Sequence, residues 1–370
     1  MSREMVRIGV ATTVLPKAGA RTAARRPILM FRRMAARATE IGARLALFHP
    51  LQVDWAQGTV QAWEPVSANQ PSGPWVARKT ALPDVIYDNV FVHLAIRGYT
   101  AKLRRYARQQ GIPLFNPPMY SKWVMQRWLK TTEAGKYVPP AVLPRSGAQT
   151  LHTIDRWRDA YLKPVGGYGG MGVTRIQATA DGKYRISVDR QRHGRRTRLV
   201  LTRQEVANYL QHRLKQQRHF LQQGLKLLTV GGRKVDFRIV THRGGRGAWH
   251  VVGVIPKLAP TGGVVTNIIA GGERMSFGQL QSLAQREGKF IPRHDLEKCA
   301  LDISRQLSQR LPTVGLIGFD LGVDEEGHVW FIELNHQCYR LLTQVNIQSE
   351  WLVHALALFL VEDNLFDDGF

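Results

Sequence analysis

Apolar positions in the first third of the chain alternate between strand-length runs and helix-spaced stripes. MVRIGVATTV (5–14), ARLALFHP (43–50) and PDVIYDNV (83–90) read as buried strands. After the first comes a basic stretch, Lys17 to Arg37, with Arg21, Arg25, Arg26, Arg32 and Arg33 and no acid before Glu40. Its second half has helical spacing. After the strand at 43–50, short strands and turns are expected through 75, with Pro65, Pro71 and Pro74 marking a loop. A basic helix is expected over 98–110, stopped by Gly111, and PLFNPP (113–118) follows as a strand closed by prolines. Strands alternating with helices predict a small parallel α/β unit over residues 1–118.

Beyond it, Ser121 is placed to cap a helix through SKWVMQRWLK, where Val124 and Trp128, and Met125 and Leu129, lie four apart. YLKPV (161–165) is a short strand running into a glycine cluster. Strands at 173–179, 184–190 and 197–202 are separated by turn signals at Asp181-Gly182 and His193-Gly194. A helix over 203–217 precedes the strand HFLQQGL (219–225). Segments 235–242 and 248–257 predict a hairpin around RGGRG. Leu296, Cys299, Ala300, Ile303 and Leu307 form one helical stripe. The pair LIGFDLGVD and HVWFIELN and a C-terminal helix complete the chain. No internal repeat is visible.

Composition changes this picture in one respect. Of the 370 residues 44% are hydrophobic and 22% charged, ordinary for a globular protein with a core. The 52 Lys and Arg against 28 Asp and Glu leave a net charge of +24. Such a surface attracts nucleotides, nucleic acid, acidic polymers or anionic lipid, unless it is simply a solvated basic surface. Two cysteines, Cys299 and Cys338, exclude a disulfide framework and fit a reducing compartment. No apolar run approaches the roughly 20 residues that span a bilayer, and the N-terminus lacks a signal-peptide pattern. A cytoplasmic protein is expected.

Three clusters carry candidate chemistry. Residues 166–172 read GGYGGMG, with Gly166, Gly167, Gly169, Gly170 and Gly172 following Lys163-Pro164. Glycine N–H groups approach an anion closely, and a lysine supplies a point charge for phosphate. No Gly-Lys-Ser/Thr follows, so this is not a Walker loop, and a glycine-rich hairpin without ligand has the same look. In the terminal hairpin, alternation puts Glu333 and Asn335 on one face, with Trp330, Ile332 and Leu334 on the other. If the loop near Asp324–His328 has an even number of residues, Asp320 joins Glu333 and Asn335. Three oxygen ligands from adjacent strands suit Mg²⁺, which takes one or two carboxylates plus phosphate oxygens; a solvent-facing edge is the alternative. Asp236 and Arg238 share a face of VDFRIV, as a cross-strand salt bridge would also require. Lys257 lies on the facing strand, and Asn267, Gly271 and Gly272 follow. A Lys, an Arg and an Asn near a metal pair suit a transferring phosphoryl group.

The order LKP, glycine-rich loop, QQG, DFR, TN..GG, then GFDLGVD…WFIELN resembles the ATP-grasp superfamily, and within it the YheC/YheD family of endospore coat-associated proteins. The resemblance covers roughly residues 112–345. It implies an α/β plus α+β fold: an N-terminal Rossmann-like pre-ATP-grasp domain (1–118), an ATP-grasp N-subdomain with lid and glycine-rich loop (119–225), and an antiparallel C-subdomain with the metal site (226–370). By the same resemblance Lys122 and Lys163 contact the nucleotide and its phosphates. The loop with Gly166, Gly167, Gly169 and Gly170 covers the phosphates, and the backbone of Gln222, Gln223, Gly224 and Leu225 reads adenine. Asp320, Glu333 and Asn335 hold magnesium, while Arg238, Lys257 and Asn267 surround the γ-phosphate and an acyl phosphate. Two residues depart from the pattern. Gln222 stands where many members have an acid, and Lys257 where many have arginine, keeping the charge without the bidentate fork.

The expected activity is Mg-ATP-dependent ligation of a carboxylate to an amine or other nucleophile, on an anionic small-molecule, peptide or polymer substrate. A non-catalytic, spore-coat-associated protein of the same fold is the first alternative; a basic nucleic-acid-binding protein is the second. From Lys183 to Arg203 eight basic residues stand against one acid, Asp189. Tyr184 is the one aromatic among them available for base stacking, so the stretch reads as a solvated face or an anion clamp. Cys338 reads as a packed thiol.

Overall fold

The computed structural model describes residues 5–16, 28–67, 70–71, 73–90, 98–166, 172–189, 196–244, 247–266, 268 and 271–335. The expected C-terminal helix, Cys338, Gly167, Gly169, Gly170, Asn267 and the His193-Gly194 turn lie outside these residues.

Three six-stranded sheets organise the described residues. The first is ordered β4-β3-β2-β1-β5-β6, with β1 Val6–Thr12, β2 Ala43–Asp54, β3 Thr59–Pro65, β4 Trp75–Ala81, β5 Val85–Asn89 and β6 Leu114–Phe115. β1, β2, β5 and β6 run parallel, as expected, but β3 and β4 are antiparallel. The expectation of a parallel unit therefore fails at this edge. Only residues 55–58 join β2 to β3. Asp54 Oδ1 accepts the Ala56 and Gln57 N–H groups and Gly58 takes φ 64, so the chain reverses where a parallel crossover needs a dozen residues or more. Helix α1, Leu29–Glu40, packs Met30, Phe31 and Met34 on one face of the sheet; α2, Tyr99–Gln109, packs Leu103 on the other.

The second sheet is antiparallel, ordered β11-β10-β9-β8-β12-β7. Its strands are β7 Ala141–Val142, β8 Asp159–Pro164, β9 Thr174–Ala178, β10 Tyr184–Asp189, β11 Arg196–Leu201 and β12 His219–Gln223. Helices α4 (Gly147–Trp157) and α5 (Arg203–Gln216) bury Leu151, Ile154, Val206 and Leu210 against it. A Thr202/Glu205 capping box starts α5. In chain order α3, Lys122–Leu129, follows β6; its N-cap Ser121 accepts the Val124 N–H, and it buries Met125 and Leu129 in the core shared with the third sheet.

The third sheet is antiparallel, with β16-β15-β14-β17-β18 in order and β13 (Thr229–Val230) beside β14. It comprises β14 Arg233–Arg243, β15 Trp249–Leu258, β16 Glu273–Arg274, β17 Leu316–Val323 and β18 Val329–Asn335. Helices α6 (Phe277–Arg286) and α7 (Arg293–Arg310) cover one face. The predicted stripe Leu296, Cys299, Ala300, Ile303 and Leu307 is fully buried there against Val235, Phe237 and Ile239 of β14. The alternate residues of β14, Lys234, Asp236 and Arg238, point the other way, toward the second sheet. Buried Asn116 joins the first and third sheets: its Oδ1 accepts the Gly315 and Leu316 N–H groups and its Nδ2 donates to the Leu316 carbonyl.

Candidate nucleotide and metal site

The open face of the third sheet gathers the acids and cations singled out in the sequence. Asp320 on β17 pairs in register with Arg238 of β14 and Glu333 of β18, and Asp236 pairs with Lys257 of β15. The route by which Asp320 and Glu333 come to share a face differs from expectation. The turn has five residues, 324–328, an odd number, and Val323 faces Val329 across it. Alternation alone would then turn Glu333 away from Asp320. A β-bulge at Ile332 restores the register, so Asp320 faces Glu333 and Gly318 faces Asn335. The bulge also separates the trio expected on the opposite face. Leu334 packs into the core, whereas Trp330 faces Gly322 on the side of Asp320 and donates its indole N–H to Asp324 at 2.7 Å.

Every acid in the site is engaged. Arg238 forks onto Asp320, with Nε to Oδ1 at 2.6 Å and Nη2 to Oδ2 at 3.0 Å. Lys257 Nζ lies 2.9 Å from both Asp320 Oδ1 and Asp236 Oδ1. Thr266 Oγ1 donates to Asp236 Oδ2, and Asn335 Nδ2 donates to Asp320 Oδ2 at 3.4 Å. Burial opposes the Asp320 charge, but Arg238 and Lys257 hold its carboxyl well below the usual carboxylate range. Burial pushes Asp236 upward, against the pull of Lys257. Burial also works against the Lys257 charge, but Asp236 and Asp320 hold its pKa above the ordinary value. Asp236 and Arg238 thus each form a cross-strand salt bridge, to Lys257 and to Asp320, and the second of these holds a candidate metal ligand.

Two more cations close the site from the other side. Lys122 is the first residue of α3, where the helix dipole disfavours a cation. Its Nζ lies 2.9 Å from Glu333 Oε1, which compensates. Trp123 packs on Phe220 of β12, tying that turn to the second sheet. Lys163 on β8 donates to Gln222 Oε1. Burial lowers its pKa to about 8, Lys122 adding to this and the Glu333 carboxylate opposing it. Gln222 thus accepts from Lys163 without neutralising it.

The segment 222–225, expected to be the adenine-reading hinge, is held from within. The N–H groups of Gln223 and Gly224 donate to the Pro140 and Asp159 carbonyls at 2.9 and 2.8 Å. A Cβ on Gly224 would lie 2.5 Å from Asp159 Cγ, so any larger residue would force Asp159 to shift. Gly166 and Gly172, the latter at φ 75, bound the glycine loop, and residues 167–171 between them lie outside the described residues.

Two residues that the sequence did not single out stand in the cleft. Lys234 Nζ donates to the Tyr161 hydroxyl at 3.0 Å, bridging the second and third sheets. Lys163, Arg175 and Lys234 all lie 5.7–5.8 Å from the Tyr161 ring centre. The signal was two-residue spacing: Tyr161 shares a face with Lys163, and Lys234 with Asp236. Cations outnumber carboxylates among the named residues, so the cleft suits a polyanion. Among the described residues no three or more His, Cys, Asp or Glu side chains gather as a metal cage. Two carboxylates and an amide instead match a cation that completes its shell with phosphate oxygens.

A sequence model described as YheC/D-like ATP-grasp matches residues 111–356. The endospore coat-associated protein YheD of Bacillus subtilis (strain 168) is 24% identical over 316 residues, covering 83% of this chain and 67% of that protein. Among solved structures, D-alanyl-alanine synthetase A from Vibrio cholerae O1 biovar eltor superposes with a TM-score of 0.54 at 10% identity, covering 96% of this chain and 98% of that one. D-cycloserine synthetase DcsG gives 0.52 at 13% identity, covering 96% and 99%. At such identities the structures speak to fold alone.

Proposed function

The chain belongs to the YheC/D-like ATP-grasp family, and from that premise we propose that it uses ATP to join a carboxylate to a nucleophile through an acyl phosphate. The observation that carries the reading is the convergence of Lys122, Lys163, Arg238 and Lys257 on the paired carboxylates Asp320 and Glu333.

Lys122 and Lys163 would hold the nucleotide phosphates. Two hinge N–H groups being spent internally, adenine reading falls to Leu225 and the hinge carbonyls. Asp320, Glu333 and Asn335 would hold Mg²⁺; Asp320 stays ionised, and the facing register presents both acids to one point. When bound, that ion supplies charge neutralisation of the phosphates. Arg238 and Lys257, with Asn267, would stabilise the γ-phosphoryl group as a substrate carboxylate oxygen bonds to phosphorus and the bond to the ADP oxygen breaks. A nucleophile then bonds to the acyl carbon, loses its proton and expels inorganic phosphate. The loop 166–172 would exclude water from that intermediate.

The acid is a small molecule, peptide or polymer. The two superposed structures are named as synthetases and YheD as endospore coat-associated, which makes spore association a part of this proposal. No helix among the described residues is long and apolar enough to cross a membrane. The nucleic-acid alternative loses support, because Arg196 and Arg198 of the basic stretch are engaged by Asp189 and by loop carbonyls.

Calorimetric titration of Mg-ATP into the native protein and Glu333→Ala tests the reading. Micromolar binding, weakened about tenfold or more in the variant, is expected. No binding to the native protein overturns it. Binding without ADP release in the presence of candidate acids leaves the coat-associated, non-catalytic role.

A further inference from the structure

Asp189 ends β10 on the basic hairpin, and it is 5% exposed. A carboxylate so deeply placed needs partners, and they come from two sides. From its own hairpin, Arg198 Nη2 donates to Oδ1 at 3.1 Å, and Arg196 Nε lies 4.0 Å away. From the loop after β15, the N–H groups of Val264 and Val265 donate to Oδ2 at 2.6 and 3.1 Å. The same arginines reach into that loop, Arg198 Nη2 to the Gly262 carbonyl at 3.0 Å and Arg196 Nη1 to the Thr261 carbonyl. The loop is shaped to receive them: Gly263 N–H closes a turn on the Pro260 carbonyl, with Gly262 at φ 65.

One residue beyond Val265 stands Thr266, whose hydroxyl donates to Asp236. Asp236 shares Lys257 with Asp320. A short covalent span, 264–266, therefore links the buried carboxylate of the hairpin to the acid cluster of the third sheet. We propose that Asp189 is a positioning residue that couples closure of the β10–β11 hairpin to the geometry of Asp236, Lys257 and Asp320. With the hairpin seated, Asp189 fixes the 264–266 backbone. Thr266 then fixes Asp236, which holds Lys257 where it meets Asp320. With the hairpin lifted, two N–H groups lose a charged acceptor and Thr266 loses its anchor. A bound nucleotide would meet a completed cluster only under a closed hairpin. That consequence rests on the ligase reading; the link between hairpin and loop does not.

The test has two arms. In the first, hydrogen exchange is followed on the full, ligand-free chain, native and Asp189→Asn. The Val264 and Val265 amides and the hairpin 196–201 are expected to exchange at least about tenfold faster in the variant, with β17 and β18 unchanged. Arg198→Gln, which leaves the carboxylate in place, gives the same pattern at smaller amplitude and serves if Asp189→Asn does not fold. Unchanged protection of Val264 and Val265 overturns the proposal. In the second arm, ADP affinity is measured with and without Mg²⁺ for Asp189→Asn, Thr266→Val and the double variant. The Mg²⁺-dependent gain in ADP affinity is expected to fall in each single variant and to fall no further in the double. Independent effects, or equal loss with and without Mg²⁺, overturn the coupling. If the native chain binds no ADP, the ligase reading fails, and the exchange arm still decides the link.

Discussion

Replacing Asp320 by Asn separates the structural duty of that carboxylate from any duty toward a metal, because the effect is measured with neither metal nor nucleotide present. The native residue is 8% exposed and faces two cations, a bidentate Arg238 at 2.6 and 3.0 Å and Lys257 at 2.9 Å. With charge centres about 4 Å apart and an effective dielectric near 20, each pair attracts by about 4 kcal/mol. Desolvation and repulsion from Asp236 offset much of that. Removing one member of a buried pair nonetheless costs about 3–5 kcal/mol, since the partner charges stay behind. Urea unfolding followed by tryptophan emission is the assay, urea being uncharged and so leaving ion pairs unscreened. Arg238→Gln and the double variant complete a cycle. The double should recover part of the loss, with a coupling of about 2 kcal/mol or more. A loss below about 1 kcal/mol in Asp320→Asn, or simple additivity in the double, refutes the argument that this face is held by its own charges.

Lys163 has a folded pKa of about 8, below the 10.5 of a free lysine. Its charge therefore weighs on the fold below pH 8, and stability from this group grows as pH climbs from 8 toward 10.5. A bound phosphate raises that pKa, so nucleotide binding near pH 8 should take up a fraction of a proton, read by calorimetry in buffers of different ionisation heat and absent in Lys163→Met. Gly224→Ala should destabilise by about 1–3 kcal/mol in urea and weaken nucleotide binding, as its Cβ would press on Asp159. Asn116→Ala strands the Gly315 and Leu316 backbone groups and should cost at least about 2 kcal/mol, with faster exchange at both amides. Chelating Mg²⁺ should weaken ADP binding at least about tenfold, by titration with and without EDTA.

Legibility in the sequence followed periodicity. The stripe of α7 and the strands β1, β5 and β17 are apolar enough that the pattern alone assigns them. α4 escaped because its inner face mixes Leu151 and Ile154 with Thr150 and Thr153, so no apolar stripe appears. At the site, residue types and strand parity located Asp236, Arg238, Lys257 and Asp320, because β14, β15 and β17 pair without interruption around them. β18 was different. A bulge adds one residue to the count, and an odd turn removes the parity on which the face of Glu333 was reckoned; the two cancel. Cross-strand partners such as Lys234 with Tyr161, or Asp189 with the amides of Val264 and Val265, join residues more than seventy positions apart. No local pattern records such pairs.

The arrangement of charges bears on how two ligands would enter one cleft. Each carboxylate proposed to hold the metal is engaged by a cation proposed to hold phosphate: Glu333 by Lys122, Asp320 by Arg238 and Lys257. A nucleotide arriving alone would draw the cations away and leave the buried Asp320 carboxylate uncompensated, at a cost of several kcal/mol, with the half-buried Glu333 unpaired beside it. A divalent cation arriving alone would leave the lysines and the arginine in the same condition. Only together do the ligands let every group exchange one partner for another, so the affinity of each must depend on the other, and by the same factor in both directions. Asp236 stands apart from this exchange. Thr266 and Lys257 hold it on the side away from Glu333, and it is the counter-charge on which Lys257 rests when Asp320 changes partner. This makes the Thr266–Asp236 contact the fixed point of the cluster, and the loop that delivers Thr266 the place where the hairpin can act on it.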